Sequence, residues 1–310
     1  MKRTIALMLV LFISLSMAAA SAQNLRGHHI SDGSPVVAVQ ADGTVKAVGD
    51  NKYGESDTAA WRDVVAVSAG FFHTLGLKSD GTVYATGRNT SGECDVDGWK
   101  DIIMVVAGWR SSFGLKKDGT IVHAGLTDAA EMAEIDEWND IVWIGAKIQN
   151  SLFAIDKYGK VYGTGMDLSQ LQNVVQVCDM LGCSLFLFAD GTMKWFDVES
   201  DGNEWIDIDY PGSRDVCAIT LVAERYVALR KDGTVVSELE HADFSNWTDI
   251  VEIEGDLGIK SDGSVIVLGA WAMVDWTSEY SLEQMIEISK WKVMVDPDTL
   301  PTAATQTDAP

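Results

Sequence analysis

Val64-Val65-Ala66-Val67-Ser68-Ala69-Gly70-Phe71-Phe72-His73-Thr74-Leu75-Gly76-Leu77-Lys78-Ser79-Asp80-Gly81-Thr82-Val83 is the stretch that decides the fold. Leu75 and Leu77 alternate with Gly76 and Lys78, and Val83 alternates with Thr82 and Tyr84. A period of two belongs to a β-strand with one buried face. Asp80-Gly81 separates the two runs, and Asp-Gly between alternating strands is a strong hairpin signal. It predicts a type I′ turn, whose two central residues both need positive φ; glycine supplies it freely and aspartate tolerates it.

The turn recurs along the chain. Asp42-Gly43-Thr44-Val45, Asp80-Gly81-Thr82-Val83 and Asp118-Gly119-Thr120-Ile121 follow one another at a spacing of 38 residues. Tyr158-Gly159-Lys160-Val161, Asp190-Gly191-Thr192-Met193, Asp232-Gly233-Thr234-Val235 and Asp262-Gly263-Ser264-Val265 complete seven copies, at spacings of 40, 32, 42 and 30. A period in this range marks a repeat architecture.

A second mark lies upstream of most turns: Trp61-Arg62-Asp63-Val64, Trp99-Lys100-Asp101-Ile102, Trp138-Asn139-Asp140-Ile141, Trp205-Ile206-Asp207-Ile208 and Trp247-Thr248-Asp249-Ile250, with Leu171-Gln172-Asn173-Val174 a degenerate copy. The expectation is that tryptophan fills the seam between units while the acid bonds the turn entering the next strand. A third piece, Asn51-Lys52-Tyr53-Gly54-Glu55 and Asn89-Thr90-Ser91-Gly92-Glu93, reads as a looser fourth strand.

Four short antiparallel strands per unit specify an all-β fold, a seven-bladed β-propeller of four-stranded antiparallel blades. The first copy lacks an opening strand, because Gly27-His28-His29 enters directly at the loop position. Met285-Ile286-Glu287-Ile288 is a spare strand-like piece near the end, so the ring is expected to be closed by a C-terminal strand that removes both loose edges. A short helix is the alternative for that piece, since Ser281 and Gln284 resemble a capping box. Residues 1–22 read as a signal peptide, 23–295 as the propeller and 296–310, with three of the five prolines, as a disordered tail.

The leader has Lys2 and Arg3, an apolar run from Ile5 to Met17 and small residues at Ala20-Ser21-Ala22. The run falls short of the ~20 residues a membrane span needs, so export by a signal peptide to the cell surface or medium is expected. The net charge is −23, and loss of Lys2 and Arg3 with the leader makes it more negative still. Such a charge keeps a monomer soluble and repels phosphate backbones and anionic membranes, so nucleic acid and membrane are not expected partners.

Nothing in the sequence forms a catalytic constellation, and no cofactor or metal is expected. His28, His29, His73, His123 and His241 are scattered, and His73 reads as a hydrogen-bonding core residue. Carboxylate pairs such as Asp207 with Asp209 and Glu252 with Glu254 follow from a composition of 46 acids. Glu199 to Glu204 is acidic without the full spacing of a calcium loop. Cys178 and Cys183 flank an expected strand-to-strand loop and are candidates for a disulfide across it; their spacing, with no histidine nearby, does not suit zinc.

The run from Val64 to Val83, and its successor from Val105 to Thr120, resemble the repeat of the regulator of chromosome condensation family. The resemblance extends over the chain up to the tail, strongest in the second and third copies, and implies a seven-bladed propeller. The eukaryotic namesake is a nuclear nucleotide-exchange factor that binds chromatin and a small GTPase, partners that a leader and strong negative charge oppose. Bacterial secreted members, including the propeller-type β-lactamase inhibitory proteins, look closer. In these, the resemblance implies, aromatic residues just before the histidine position line a rim that grips a protein. The matching positions are Phe71, Phe72, Trp109, Arg110, Ile148, Gln149, Met180 and Leu181. The fourth to sixth copies lose the aromatics, and the last shortens the loop to Glu254-Gly255-Asp256. The expected function is therefore a secreted, non-catalytic scaffold that binds a protein through one rim. A carbohydrate-active enzyme or lectin using a central channel, or an inhibitor of β-lactamase type, are the alternatives.

Overall fold

The computed structural model describes residues 35–126, 128–147, 151–180, 183–197, 204–208, 215–222, 225–239, 243–254 and 257–267. The leader, the spare C-terminal piece and the tail lie outside them. Within them the chain forms seven antiparallel sheets, each made of consecutive strands. The first is β1 (Val36–Val39) with β2 (Val45–Val48); the second β3 (Val64–Ala69), β4 (His73–Lys78) and β5 (Val83–Gly87). The third is β6 (Ile102–Ala107), β7 (Ser111–Lys116) and β8 (Ile121–Gly125); the fourth β9 (Ile141–Lys147), β10 (Ser151–Asp156) and β11 (Val161–Gly163). The fifth is β12 (Val174–Met180), β13 (Cys183–Phe188), β14 (Met193–Asp197) and β15 (Glu204–Ile208). The sixth is β16 (Val216–Val222), β17 (Arg225–Arg230) and β18 (Val235–Ser237), and the seventh β19 (Ile250–Glu254), β20 (Leu257–Lys260) and β21 (Val265–Val267).

Both faces of each sheet are covered by its neighbours, so the middle strands are buried along almost their whole length, as β4 and β7 are. Val37, Val39 and Val45 of the first sheet share a core with Val64, Val67 and Ala69 of the second. Leu75, Leu77 and Val83 of the second meet Val105 and Ala107 of the third. The order continues to the last sheet, where Leu257, Ile259 and Val265 pack with Val36 and Ala38 of the first. The first and last sheets thus bury each other's faces, which is propeller packing.

Tryptophan occupies the seams as expected. Trp61, Trp99, Trp138 and Trp247 are all buried. The ring needs a partner strand without a side chain beneath it. A Cβ at Gly76 would sit 2.5 Å from the Trp61 ring, and one at Gly114 2.8 Å from Trp99. Where the fifth copy replaces tryptophan by Leu171, the middle strand carries Phe186 in place of the glycine, and both belong to one apolar cluster. The volume has moved from the loop to the strand.

The hairpin differs from the expected type I′ turn. Gly43 has φ 76° and Gly81 φ 79°, whereas Asp42 and Asp80 are absent from the positive-φ residues. Gly43 N–H donates to Gln40 O at 2.9 Å and Gln40 N–H to Thr44 O at 2.8 Å. This is the three-residue hairpin, a type I turn closed by a left-handed glycine. The aspartate stays right-handed because its carboxylate accepts from Thr44 N–H (3.0 Å) and Thr44 Oγ1 (2.6 Å). The same bonds from Thr82 and Thr120, with help from Lys78 and Lys116, hold the carboxyl groups of Asp80 and Asp118 at a pKa of about 2.

The left-handed aspartates are elsewhere. Asp63, Asp101, Asp140, Asn173, Asp215 and Asp249 all have φ between 58° and 63°. Each stands immediately before the first strand of a sheet and lies against the glycine of the preceding turn; Val64 N–H donates to Gly43 O (3.0 Å), Ile102 N–H to Gly81 O (3.1 Å) and Ile141 N–H to Gly119 O (3.1 Å). The two sequence marks, separate on the chain, are two halves of one joint between neighbouring sheets. In the sixth copy that joint is made by Asp215 and not by Asp207, because Trp205 to Ile208 lies in β15, with Asp207 paired to Lys194. A residue fixed in a ladder cannot take the left-handed turn.

The expected fourth strands are mostly not strands. Among the described residues only the fifth sheet has four. In the Asn-x-x-Gly-Glu segment, side chains do what a ladder would have done. Asn51 Oδ1 accepts from Ser56 N–H (2.9 Å) and Asn51 Nδ2 donates to Asp57 Oδ1 (2.8 Å), closing a loop. Asn89 does the same with Cys94 and Asp95 (both 2.8 Å). After the third sheet a helix, α1 (Ala129–Asp136), takes this place, capped by Asp128 Oδ1 on Ala130 N–H at 2.8 Å, with Met132 and Ile135 buried.

Candidate functional site

The loops opposite the Asp-Gly turns carry the candidate site. Gly70 N–H donates to His73 O and Gly108 N–H to Ser111 O, each at 2.8 Å, so Phe71, Phe72, Trp109 and Arg110 ride on tight strand connections. The strand leaving each sheet pins them from beneath: Arg88 N–H donates to Phe72 O (2.7 Å) and Leu126 N–H to Arg110 O (2.8 Å). Gly87 is required there, since a Cβ on it would meet Phe72 O at 2.5 Å.

Four aromatic rings form a continuous row across the first three sheets. Tyr53 meets Phe72 edge-on at 5.5 Å between centroids, Phe72 meets Phe71 at 6.0 Å, and Phe71 meets Trp109 at 5.6 Å. Tyr53 and Trp109 are each 40% exposed and Leu126 50%, while Phe71 and Phe72 are half-buried. The guanidinium carbon of Arg88 lies 5.1 Å from the Phe72 ring centre and 5.8 Å from that of Tyr53. Lys52 Nζ stands 5.2 Å from the Tyr53 ring centre.

Of the positions expected from the resemblance, Phe71, Phe72 and Trp109 come together here, with Arg110 beside Trp109 in the same loop. Ile148, Gln149 and Leu181 lie outside the described residues, and Met180 ends β12 two sheets away. Tyr53, Arg88 and Leu126 were not anticipated. Tyr53 lies inside the first segment read as a strand and Arg88 immediately precedes the second, places where a loop side chain carries no sequence signal.

A polar seam anchors the row. Glu55 and Glu93 are buried. Glu55 Oε2 accepts from Tyr53 N–H (2.6 Å), and Thr74 Oγ1 donates to Glu55 O (2.7 Å), fastening the Tyr53 loop to β4. One repeat on, Ser112 Oγ donates to Glu93 O at 2.6 Å and lies 2.8 Å from His73 Nε2. The serine proton is spent on the carbonyl, so His73 must donate from Nε2–H, leaving Nδ1 as an acceptor without a partner. Burial pushes the His73 pKa down to about 4. A sealed neutral histidine whose serine is already committed is a structural strut between the second and third sheets; a nucleophile would need to reach solvent.

The thiols are likewise turned inward. Cys94 Sγ donates to Arg88 O (3.2 Å) and Cys217 Sγ to Leu229 O (3.5 Å), and burial raises their pKa values to about 12 and about 11. Cys178 Sγ donates to Ile219 O at 3.2 Å in the next sheet. Register sets Cys178 opposite Leu185 and Cys183 opposite Met180, a diagonal relation between the two cysteines. Diagonal neighbours are about 7–8 Å apart, wider than the usual Cα separation of a disulfide. Among the described residues no three His, Cys, Asp or Glu side chains gather to hold a metal.

Residues 64–93 match the model of the regulator of chromosome condensation (RCC1) repeat. This chain carries the RCC1 repeat. No curated protein matches it in sequence. Among solved structures, the ectodomain of the Arabidopsis thaliana receptor kinase ACR4 is similar, with 12% identity, a TM-score of 0.56 and coverage of 80% of this chain and 95% of that one. The ectodomain of the Physcomitrella patens receptor kinase CR4 gives 12% identity and a TM-score of 0.50, over 69% of this chain and 63% of that one. Prp20p from Saccharomyces cerevisiae gives 14% identity and a TM-score of 0.49, over 66% of this chain and 69% of that one. The receptor ectodomains support the propeller fold at this distance and nothing finer. The matched RCC1 repeat spans β3, β4 and β5 and ends on the loop that carries Arg88 and Glu93.

Proposed function

We propose that this chain is an exported, non-catalytic protein-binding scaffold, a ring of seven blades that offers one arc of its rim to a partner. The observation that carries the reading is the row Tyr53, Phe72, Phe71 and Trp109. These are large, rigid rings, partly open to solvent and held by a bonded frame beneath. Aromatic residues with arginine are the composition of interface hot spots, and loops on a rigid scaffold are where binding is usually placed. The equivalent loops of the later copies, Ile148-Gln149-Asn150, Leu181-Gly182, Ala223-Glu224 and Gly255-Asp256, hold no aromatic residue. One blade for each sheet, with the first and last sharing a core, supports the ring.

Export rests on the leader, and the acidic balance argues for a protein partner over nucleic acid or an anionic membrane. The test is a pull-down with the purified protein and with its Phe71→Ala/Phe72→Ala/Trp109→Ala variant, from the medium and surface of the producing cells. Partners retained by the parent and lost by a folded variant support the reading. Equal recovery by both overturns it.

A further inference from the structure

This inference rests on the rim reading and concerns what the rim recognises. Arg88 stands at the Tyr53–Phe72 end of the aromatic row, its side chain only 19% exposed. Its Nε donates to Thr90 Oγ1 at 2.7 Å and lies 3.8 Å from Oε1 of the buried Glu93. Glu93 is itself held, since its Oε2 accepts from Ser91 N–H at 2.6 Å. One edge of the guanidinium is therefore tied down. Among the described residues neither terminal amino group has an acceptor.

A guanidinium fixed at Nε and flanked by rings keeps two donors for a carboxylate, the acceptor whose two oxygens match its fork. The rings exclude water beside it, which strengthens such a bond. We propose that Arg88 anchors a carboxylate of the partner, in an extended segment where Asp or Glu is flanked by apolar side chains that lie on Tyr53, Phe72 and Trp109. The donors left over support this occupant: the terminal amino groups of Arg88 and the Lys52 ammonium stand on one arc, while the carboxylates of Glu93 and Glu55 are already committed to Arg88 Nε and to backbone N–H groups. In a chain of net charge −23 these donors suit an isolated acid, while the molecule as a whole repels polyanions.

The experiment is selection of a phage-displayed random peptide library on the purified protein. Selected sequences are then synthesised with amidated C-termini and titrated by fluorescence anisotropy. The expected peptides share an Asp or Glu next to a large apolar residue. Changing that acid to its amide, which leaves the protein untouched, weakens binding by about ten- to a hundredfold, as does Arg88→Gln. Arg88→Lys weakens it less, because a point charge lacks the fork. Lys52→Gln costs about threefold or less, the effect of an exposed charge. The proposal is overturned if the peptides show no acid enrichment, if the amide peptide binds equally, or if only a glycan array and no peptide is bound. If Phe71→Ala/Phe72→Ala/Trp109→Ala abolishes peptide binding and the acid-to-amide change does not, the carboxylate inference fails while the rim reading stands. If neither change matters, both fail.

Discussion

The two ends of the strands obey different rules. At the turn end, the first three turns repeat one construction: a left-handed glycine whose carbonyl accepts from the strand after a left-handed aspartate, as at Gly43–Val64, Gly81–Ile102 and Gly119–Ile141. At the loop end the copies diverge: Phe71-Phe72 in one, Trp109-Arg110 in the next, Ala223-Glu224 further on. A joint that must orient one sheet against the next leaves little freedom of residue type. The opposite loops are joined to the scaffold through backbone bonds, so their side chains are free to vary. Geometry is kept at one end and side-chain identity is varied at the other.

Breaking the seam should give the largest effect. Trp99→Ala removes a buried ring from a core that includes Leu75, Leu77, Ile102 and Val105. It should lower stability by about 3–5 kcal/mol in urea denaturation. A loss near that of a surface change would mean the tryptophan does not order the sheets.

The His73 strut should reveal itself through pH. Burial lowers its folded pKa to about 4 from the ordinary histidine value of 6.5, so the fold favours the neutral ring. The stability this reflects is fully present above pH 6.5 and is lost as pH falls toward 4, by an amount on the order of 3 kcal/mol. His73→Gln should flatten that part of the stability-against-pH curve; an unchanged slope would assign the loss to other groups.

The joint itself should be weaker than the seam. Asp101 has φ 59°, which valine tolerates poorly and glycine tolerates well. Asp101→Val should cost about 1–2 kcal/mol and Asp101→Gly much less. Equal costs would show that the side chain and not the backbone matters there. Smallest of all should be the stability change at the rim, where Phe71→Ala or Trp109→Ala should shift the transition by no more than about 1 kcal/mol.

The repeat, the seam tryptophans and the strand alternation were legible because each imposes a residue type at a fixed interval. The turn type was not, because both candidate hairpins want glycine at the same place and only the Asp42–Thr44 bonds separate them. Trp205 misled because a Trp-x-Asp-Ile string cannot declare whether its aspartate turns left-handed or stays in a ladder. Asp215, which makes the joint, has no tryptophan before it. The helix α1 was readable in principle from Asp128 and Glu131, spaced as a capping box. Of the rim, the resemblance pointed to Phe71, Phe72 and Trp109. Tyr53 and Arg88 join them only through contacts between loops far apart in sequence, which no local pattern records.

The division between the ends is tested most directly by measuring partner recovery and urea midpoint together for two variants, Phe71→Ala/Phe72→Ala/Trp109→Ala and Asp101→Val. The rim variant should lose the partner and keep a midpoint close to the parent's, while the joint variant should lower the midpoint and keep the partner under conditions where it is folded. A rim variant that still captures the partner, or a folded joint variant that loses it as completely, would contradict the account.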